Sequence, residues 1–214
     1  MASVFITNYN MNNHDDDYYF ISYKSTEDRP VLAADEDTAT LPYTSAKLPF
    51  DGRPLKFFNG ALNKKNKHLF KKNPPDILFH GSDIAVNDDI YEKLSSMDIP
   101  NLAIHPAIYV DHNDIWHKNY WFLTFTEKFD CWDRDKSFYA PDPLTGFGDI
   151  RYEVISYHLN SDLLDQTNIN ERKLFKIGAT TEGWILVHKS LAGLFNRTGV
   201  ELVTVKDFGT TFFP

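Results

Sequence analysis

The chain has 214 residues, a formal net charge of −8 and one cysteine, Cys131. A chain of this length folds as one large domain or two small ones, and it can bury a core without a disulfide or a metal. One cysteine excludes an internal disulfide, and the excess of acids disfavours a nucleic-acid partner. Residues 1–6 lack the basic and apolar runs of a signal peptide, and no stretch approaches the ~20 apolar residues of a membrane helix. We therefore expect a cytoplasmic protein with no membrane partner.

Two strands are predicted near the start of the chain. Val4–Ile6 and Tyr18–Tyr23 are rich in aromatic and β-branched residues, which favour strands. Several prolines between residues 24 and 56 predict irregular chain with at most one short strand. Pro74 and Pro75 then break any helix and mark the only candidate boundary. We expect the segments on its two sides, residues 1–73 and 74–214, to pack together in one globule.

The second segment, residues 74–214, contains two stretches with a similar sequence pattern. Each has short apolar strands, a helix of a few turns and another apolar strand; the first stretch spans Asp76–Ile104 and the second Leu174–Val205. At a constant offset the matching pairs are Ile84 with Ile185, Val86 with Val187, Ile90 with Leu191, Leu94 with Phe195 and Ile99 with Val200. Residues four apart share one helix face, so both helices are amphipathic. A chance match between two such helices is the alternative to a duplication.

The remaining segments predict further strands and one loop. Ala107–Val110 and Tyr120–Phe125 flank a polar turn and predict a hairpin. Pro141–Gly148 predicts a loop, because it is rich in proline and glycine. Tyr152–Leu159 predicts a strand. We therefore predict an α+β fold with mixed sheets, two similar strand–helix–strand units and more strand than helix.

A group of metal-capable side chains lies in the polar turn of the predicted hairpin. It consists of Asp111, His112, Asp114 and His117. A zinc site needs three or four ligands held by rigid elements. The spacing here matches no metal motif. A polar loop is therefore the preferred interpretation, and a small metal-dependent enzyme is the alternative; we predict no metal and no cofactor.

Three other candidate sites for catalysis or ligand binding are weaker. The sequence places no histidine beside Cys131, and Phe129 and Trp132 flank it, so it is expected to pack as a small apolar group. The triplet Asp133–Asp135 resembles the metal-holding carboxylates of some sugar-nucleotide transferases, but no Gly-rich phosphate loop accompanies it. Capping of a turn by Asp133 and Ser137 is the preferred interpretation. The basic stretch Lys64–Lys72 is expected to be a solvated loop. We predict no catalytic residue.

Three acidic clusters are the candidate partner-binding residues. They are Asp15, Asp16 and Asp17; Asp35, Glu36 and Asp37; and Asp88 and Asp89. An acidic surface favours a basic partner and raises the rate of association with it. Solubility alone is the commoner explanation for such charge. Asp88 and Asp89 also suit the N-terminus of their predicted helix, where Asn87 is placed to cap. Lys189 opposes the dipole at the start of the second helix.

The order of these segments resembles immunity protein family eleven, whose members are found beside the toxins of bacterial polymorphic-toxin and type VI secretion systems. The resemblance covers about residues 74–208. It is carried by Pro75–Phe79 with Ile84–Asp88, Tyr120–Leu123 with Phe129–Ser137, and Leu174–Ile177 with Trp184–Leu191. His188 and Lys189 depart from the acidic or small residues expected after the strand. The family has no established catalytic residues to carry over.

The resemblance implies a cytoplasmic antidote that binds and blocks a cognate toxin domain. A toxin neutralised in the cytoplasm acts there, so an enzyme such as a basic nuclease is the expected target. A structural or adaptor subunit of the same secretion apparatus is a further alternative. Self-association into a homodimer is left open.

Overall fold

The computed structural model describes residues 13–49, 53–62, 66–70, 73–146 and 149–213. The predicted strand Val4–Ile6 lies outside these residues, as do Lys64, Lys65, Lys71 and Lys72 of the basic stretch. The strands are β1 (Tyr18–Tyr23), β2 (Leu32–Ala34), β3 (Leu55–Asn59), β4 (Ile77–His80), β5 (Asp83–Asn87), β6 (Leu102–Val110), β7 (Trp116–Phe125), β8 (Lys128–Phe129), β9 (Phe138–Tyr139), β10 (Leu144–Gly146), β11 (Asp149–Arg151), β12 (Val154–Ser156), β13 (Leu174–Ile177), β14 (Ile185–His188) and β15 (Val200–Thr204). The helices are α1 (Glu36–Ala39), α2 (Asp88–Ser95), α3 (Ser161–Gln166), α4 (Lys189–Phe195) and α5 (Phe208–Phe212).

Two mixed sheets form the body of the protein. One has the strand order β2-β3-β6-β7-β5-β4 and the other β15-β1-β14-β13-β8. Pairing is antiparallel except between β3 and β6 and between β8 and β13. The predicted α+β class with more strand than helix is confirmed. Strands from the first 73 residues belong to both sheets: β1 to one, and β2 and β3 to the other.

The two predicted units have the same local structure. The first consists of the hairpin β4–β5, helix α2 and strand β6; the second consists of the hairpin β13–β14, helix α4 and strand β15. All ten residues matched in the sequence are buried in a single apolar cluster between the sheets. Ile90 and Leu94 face this cluster from α2, and Leu191 and Phe195 face it from α4. The units therefore pack on each other through equivalent positions.

The equivalence extends to a fourth strand. In the first unit β7 lies between β5 and β6 and is antiparallel to both. In the second unit β1 lies between β14 and β15 and is antiparallel to both. The orders β4-β5-β7-β6 and β13-β14-β1-β15 thus correspond, although β7 follows its unit along the chain and β1 precedes its own. No pattern in the sequence indicated that Tyr18–Tyr23 would fill this place.

The starts of the two central helices differ in how their charges are balanced. The Asn87 side chain accepts a hydrogen bond from the Ile90 amide at the start of α2, as predicted. At the start of α4 the Lys189 ammonium lies 2.7 Å from Oδ1 of Asp17. The Lys189 amide also donates to the Asp17 carbonyl. The unfavourable lysine at this N-terminus is therefore neutralised by an acid from a distant part of the sequence.

Two short antiparallel ribbons, β9–β12 and β10–β11, lie outside the two main sheets. The prediction that Pro141–Gly148 is a loop was wrong for Leu144–Gly146, because these residues pair with Asp149–Arg151. Residues 147 and 148, which connect these strands, lie outside the described residues.

The predicted strand Tyr152–Leu159 is shorter than expected, since β12 covers only Val154–Ser156. The His158 amide donates to the Ser137 hydroxyl, and the Leu159 amide donates to the Asp15 carboxylate. Side chains thus satisfy backbone groups that would otherwise need a neighbouring strand. In the described part of the chain, no helix combines the length and the apolar character needed to cross a membrane.

Candidate functional site

The metal-capable group in the β6–β7 turn is only partly brought together. Asp111 is buried, and its Oδ2 atom lies 3.0 Å from Nε2 of His117. His112 instead lies against the Phe70 ring, and Asp114 is exposed with a left-handed backbone. Within the described ranges, no three or more His, Cys, Asp or Glu side chains are grouped closely enough to hold a metal ion.

Asp111 instead organises its own turn. Its Oδ1 atom accepts hydrogen bonds from the amides of Asn113 and Ile115. Burial alone would raise the pKa of Asp111, but the hydrogen bonds from His117 and these two amides outweigh it and lower the pKa. An ionised carboxylate therefore holds the turn.

Cys131 and Asp133, two other candidates from the sequence, both contribute to the structure. Cys131 is fully buried, and burial raises the pKa of its thiol, so the predicted apolar packing is confirmed. Asp133 accepts hydrogen bonds from the amides of Asp135 and Lys136, and its own carbonyl accepts one from Ser137. The predicted capping by Asp133 is therefore confirmed, whereas that by Ser137 was wrong, because the Ser137 hydroxyl accepts from the distant His158 amide.

The first acidic cluster is mostly engaged within the protein. Asp15 is 2% exposed, and its carboxylate accepts hydrogen bonds from the Leu159 amide and the His158 ring. Asp17 is paired with Lys189; burial would raise the pKa of Asp17, but the hydrogen bond and charge of Lys189 outweigh it and lower the pKa. Asp16 is the exposed member. Asp15 thus stabilises the fold and is not available on the surface.

The third acidic cluster lies in the first turn of α2, where Asp88 and Asp89 are both exposed. The Trp121 indole donates to Oδ1 of Asp88 and stacks on the Tyr91 ring at 3.6 Å. Asp88 therefore supports the packing of α2 on β7 as well as its own helix start.

The second acidic cluster borders a surface groove of about 700 Å³. Asp35 and Asp37 line the groove, and Glu36 beside them is exposed. Along the other side runs the first part of β6, which pairs with β3 only from Ala107 onward within the described residues. The groove is also lined by Leu41, Lys47, Leu48, Arg53, Lys56, Ile104, His105, Pro106, Ile108 and Trp116.

Helix α1 is fixed at this groove by hydrogen bonds to β3. The Asp35 side chain accepts from the Thr38 amide at 2.8 Å, so Asp35 caps the helix. The Thr38 hydroxyl accepts from the Lys56 amide, and the Asp35 amide donates to the Lys56 carbonyl. These bonds leave Glu36 and Asp37 on the outer side of the helix, exposed to solvent.

The groove combines exposed apolar side chains with charges of both signs. Trp116 is 51% exposed and Leu41 is 43% exposed. The Lys56 ammonium lies 4.7 Å from the centre of the Trp116 ring, 5.1 Å from that of Phe58 and 4.0 Å from Oδ2 of Asp35. Burial and the nearby Lys47 lower the pKa of His105, although a backbone hydrogen bond at Ala46 opposes this. A neutral imidazole at neutral pH therefore lines the groove.

This arrangement suits the binding of another protein. Interfaces place aromatic side chains at an apolar centre and charged groups at the rim. Sequence reasoning found Asp35, Glu36 and Asp37 but missed Trp116. The available signal was its place at the start of the second strand of the hairpin, where the next residues, His117, Lys118 and Asn119, are polar.

Comparison with protein-family models and with curated protein sequences gave no match. The fold and the groove define an α+β protein with an exposed surface suited to docking. The resemblance to immunity protein family eleven stays a prediction.

Proposed function

We propose that this protein is a cytoplasmic antidote, which binds a cognate toxin domain and blocks its active site. The proposed target is an enzyme with a basic surface, such as a nuclease. The exposure of Trp116 at the groove beside α1 carries the proposal. A half-exposed tryptophan in a groove that is also lined by Leu41 and charged side chains is typical of a surface that a partner covers.

Charge supports the same proposal. The chain carries a net charge of −8, and Asp16, Glu36, Asp37 and Asp89 are exposed. Enzymes that cleave nucleic acids are basic because they hold phosphate groups. An acidic inhibitor meets such an enzyme faster and in a preferred orientation. The resemblance of residues 74–208 to immunity protein family eleven is the reason for proposing a toxin as the target.

The test uses the protein encoded by the adjoining gene, purified separately. Its binding to this chain is measured by calorimetry, and its cleavage of RNA and DNA is measured with and without this chain. We expect tight binding and loss of cleavage. Trp116→Ala should weaken binding by about thirtyfold or more, because a central aromatic anchor contributes about 2 kcal/mol or more.

Phe213→Ala is the matched control, since Phe213 is 49% exposed and does not line the groove. It should bind like the unchanged protein. Absence of binding contradicts the proposal. Binding without inhibition contradicts it as well, and favours an adaptor.

A further inference from the structure

A second cavity, of about 390 Å³, lies where the two main sheets approach each other. Lys24 follows β1 and Gly199 precedes β15, and the Lys24 amide donates to the Gly199 carbonyl. Tyr109 and Asp111 reach the same cavity from the end of β6 in the other sheet. The cavity shares no described lining residue with the groove. Its volume suits a small molecule.

Tyr109 brings an unused hydrogen-bond donor to the cavity wall. The buried residues Tyr43 and Tyr120 pair their hydroxyls with the His80 ring and the Pro75 carbonyl. Tyr109 is 3% exposed, and within the described part of the chain its hydroxyl has no such partner. Buried polar groups are normally hydrogen-bonded. The Tyr109 hydroxyl therefore needs an acceptor from inside the cavity.

The Tyr109 side chain is fixed in position and stays protonated. Its ring stacks on His117, with the ring centres 6.0 Å apart, and meets the Tyr120 ring edge-on. Burial and the charge of Asp111 raise the pKa of Tyr109. The phenol therefore keeps its proton at neutral pH and acts as a donor. A donor held on a rigid strand suits a ligand that binds in one orientation.

Two cations, Lys24 and Arg29, supply further donors to the cavity. The central carbon of the Arg29 guanidinium lies 3.3 Å from the centre of the Tyr23 ring, so the side chain is stacked while its N–H groups can still donate. Among the described residues, neither cation is in an ion pair with a carboxylate. The cavity therefore has three unpaired donors, and two of them are charged.

The two carboxylates at the cavity wall are already engaged. Asp111 accepts hydrogen bonds from two amides of its own turn and from His117. Asp28 is half-buried and has an interaction of its own. The formal charges of the two acids and the two cations balance, so the ligand is selected by the groups that are left unpaired. These are donors, which a ligand rich in anionic oxygens satisfies.

The remainder of the wall is largely apolar. Phe70 is 8% exposed and lines the cavity with Pro74 and Pro75. The His112 ring lies beside Phe70, with the ring centres 5.8 Å apart. A ligand that fills this space therefore has a flat apolar part as well as an anionic group.

We propose that this cavity binds a small phosphate monoester with a flat apolar body. Lys24 and Arg29 bind the phosphate oxygens, as such side chains commonly do. The Tyr109 hydroxyl donates to one of these oxygens, and Phe70 packs on the apolar body. The ligand contacts both sheets and lies outside the groove, so this inference does not depend on the proposed function.

The experiment titrates the full chain with phenyl phosphate in a calorimeter, in a buffer free of phosphate and sulfate. We expect one molecule to bind per chain, and inorganic phosphate to bind more weakly because it lacks the apolar body. Tyr109→Phe and Arg29→Gln should each weaken binding by about tenfold or more, since each removes a hydrogen bond to a charged group. The thermal midpoint of unliganded Tyr109→Phe should match that of the unchanged protein, because the hydroxyl has no partner to lose.

Tyr43→Phe and Arg134→Gln are the matched controls. Tyr43 is a buried tyrosine that does not line the cavity. Arg134 lies over an aromatic ring as Arg29 does, 4.0 Å from the centre of Trp132, and it too is outside the cavity. Both variants should bind phenyl phosphate like the unchanged protein, although Tyr43→Phe loses its hydrogen bond to His80.

Four results would overturn the inference. The first is that the unchanged protein gives no heat of binding at millimolar phenyl phosphate. The second is binding that neither Tyr109→Phe nor Arg29→Gln weakens, which places the ligand elsewhere. The third is that benzoate binds as tightly as phenyl phosphate, so that the cavity accepts anions in general. The fourth is that Tyr109→Phe weakens binding of the adjoining gene's product but not of phenyl phosphate, in which case the cavity receives a side chain of the partner.

Discussion

The Nζ atom of Lys176 on β13 lies 2.6 Å from Oδ1 of Asp83 on β5, and both side chains are buried. This ion pair joins the two sheets, one partner from each structural unit. Two charges taken out of water depend on each other, because removal of one leaves the other without compensation. The pair is therefore a point at which the contact between the sheets can be tested.

Lys176→Met should lower the free energy of unfolding by about 3–5 kcal/mol, since it leaves the Asp83 carboxylate buried and unpaired. The double variant with Asp83→Leu should recover most of this loss, because an apolar pair replaces the charges. Chemical denaturation measures both. Lys189→Met is the control, because its ion pair with Asp17 is exposed at the lysine, and it should lower the free energy of unfolding far less than Lys176→Met does. Equal losses for Lys176→Met and Lys189→Met would contradict the prediction.

Because the two units are equivalent, truncation of side chains at matched positions should lower the free energy of unfolding by similar amounts. Leu94 is 1% exposed and Phe195 is fully buried in the shared core. Leu94→Ala should cost about 2–5 kcal/mol and Phe195→Ala about 3–5 kcal/mol, from lost burial and the cavity left behind. Met97→Ala tests an exposed residue close to α2 and should change the denaturation midpoint little. A near-zero cost at either buried position would argue against the shared core.

Asp111 should contribute a pH-dependent part of the stability. Its pKa in the folded protein lies below the value of 3.8 expected in the unfolded chain. The unfolded chain therefore binds the proton more readily, so this contribution is present above pH 3.8 and is lost as pH falls towards the lower folded pKa. Asp111→Asn should lower the thermal midpoint at pH 7, with a deficit that shrinks as the pH falls through this window.

Thermal unfolding across that pH range checks the effect of Asp111. Asp114→Asn is the matched control in the same turn, because Asp114 is exposed and asparagine tolerates its left-handed backbone. A deficit that stays constant with pH would mean that Asp111→Asn acts through packing alone.

Asp15 should behave as part of the fold, although it belongs to an acidic cluster. Asp15 is 2% exposed, and its carboxylate accepts a hydrogen bond from the Leu159 amide. Asp15→Ala leaves this amide without its acceptor. We expect a loss of about 1–3 kcal/mol in unfolding free energy. Asp16→Ala, the exposed neighbour, should change it by about 0.5 kcal/mol or less. Equal effects of the two substitutions would show that the Asp15 contacts contribute nothing.

Charge reversal at α1 should slow partner binding. Glu36→Lys with Asp37→Lys removes exposed acids at the groove rim, so the association rate should fall at low salt. The difference should fade towards 1 M salt, where the Debye length is about 3 Å. Stopped-flow mixing at two salt concentrations measures this. The dissociation rate should change less than the association rate. An unchanged association rate would show that this cluster does not steer the partner.

The patterns that repeat locally were predictable from the sequence. Helix faces such as Ile90 with Leu94 follow from residue spacing, and Asn87 is a recognisable cap. The β6–β7 hairpin followed from two apolar runs around a polar turn. Each depends on neighbours in the chain, so each can be read without knowing the rest of the fold.

Long-range pairing could not be predicted in the same way. Nothing in Tyr18–Tyr23 specifies β14 and β15 as its neighbours, because an apolar strand pairs with any apolar edge. The role of Asp15 depended on Leu159, and the setting of Trp116 depended on α1, which are distant in sequence. Composition therefore identified the acidic clusters without separating buried carboxylates from exposed ones.

The position of β1 also sets an order of events during synthesis. Phe20 pairs with Leu186 and Val203, so an interior strand of the five-stranded sheet leaves the ribosome long before both of its neighbours. Strands β4 to β7 meet partners made almost at the same time and can assemble first. Pairings between distant segments slow folding. Until β14 and β15 emerge, the apolar residues of β1 are open to chaperones and to other nascent chains.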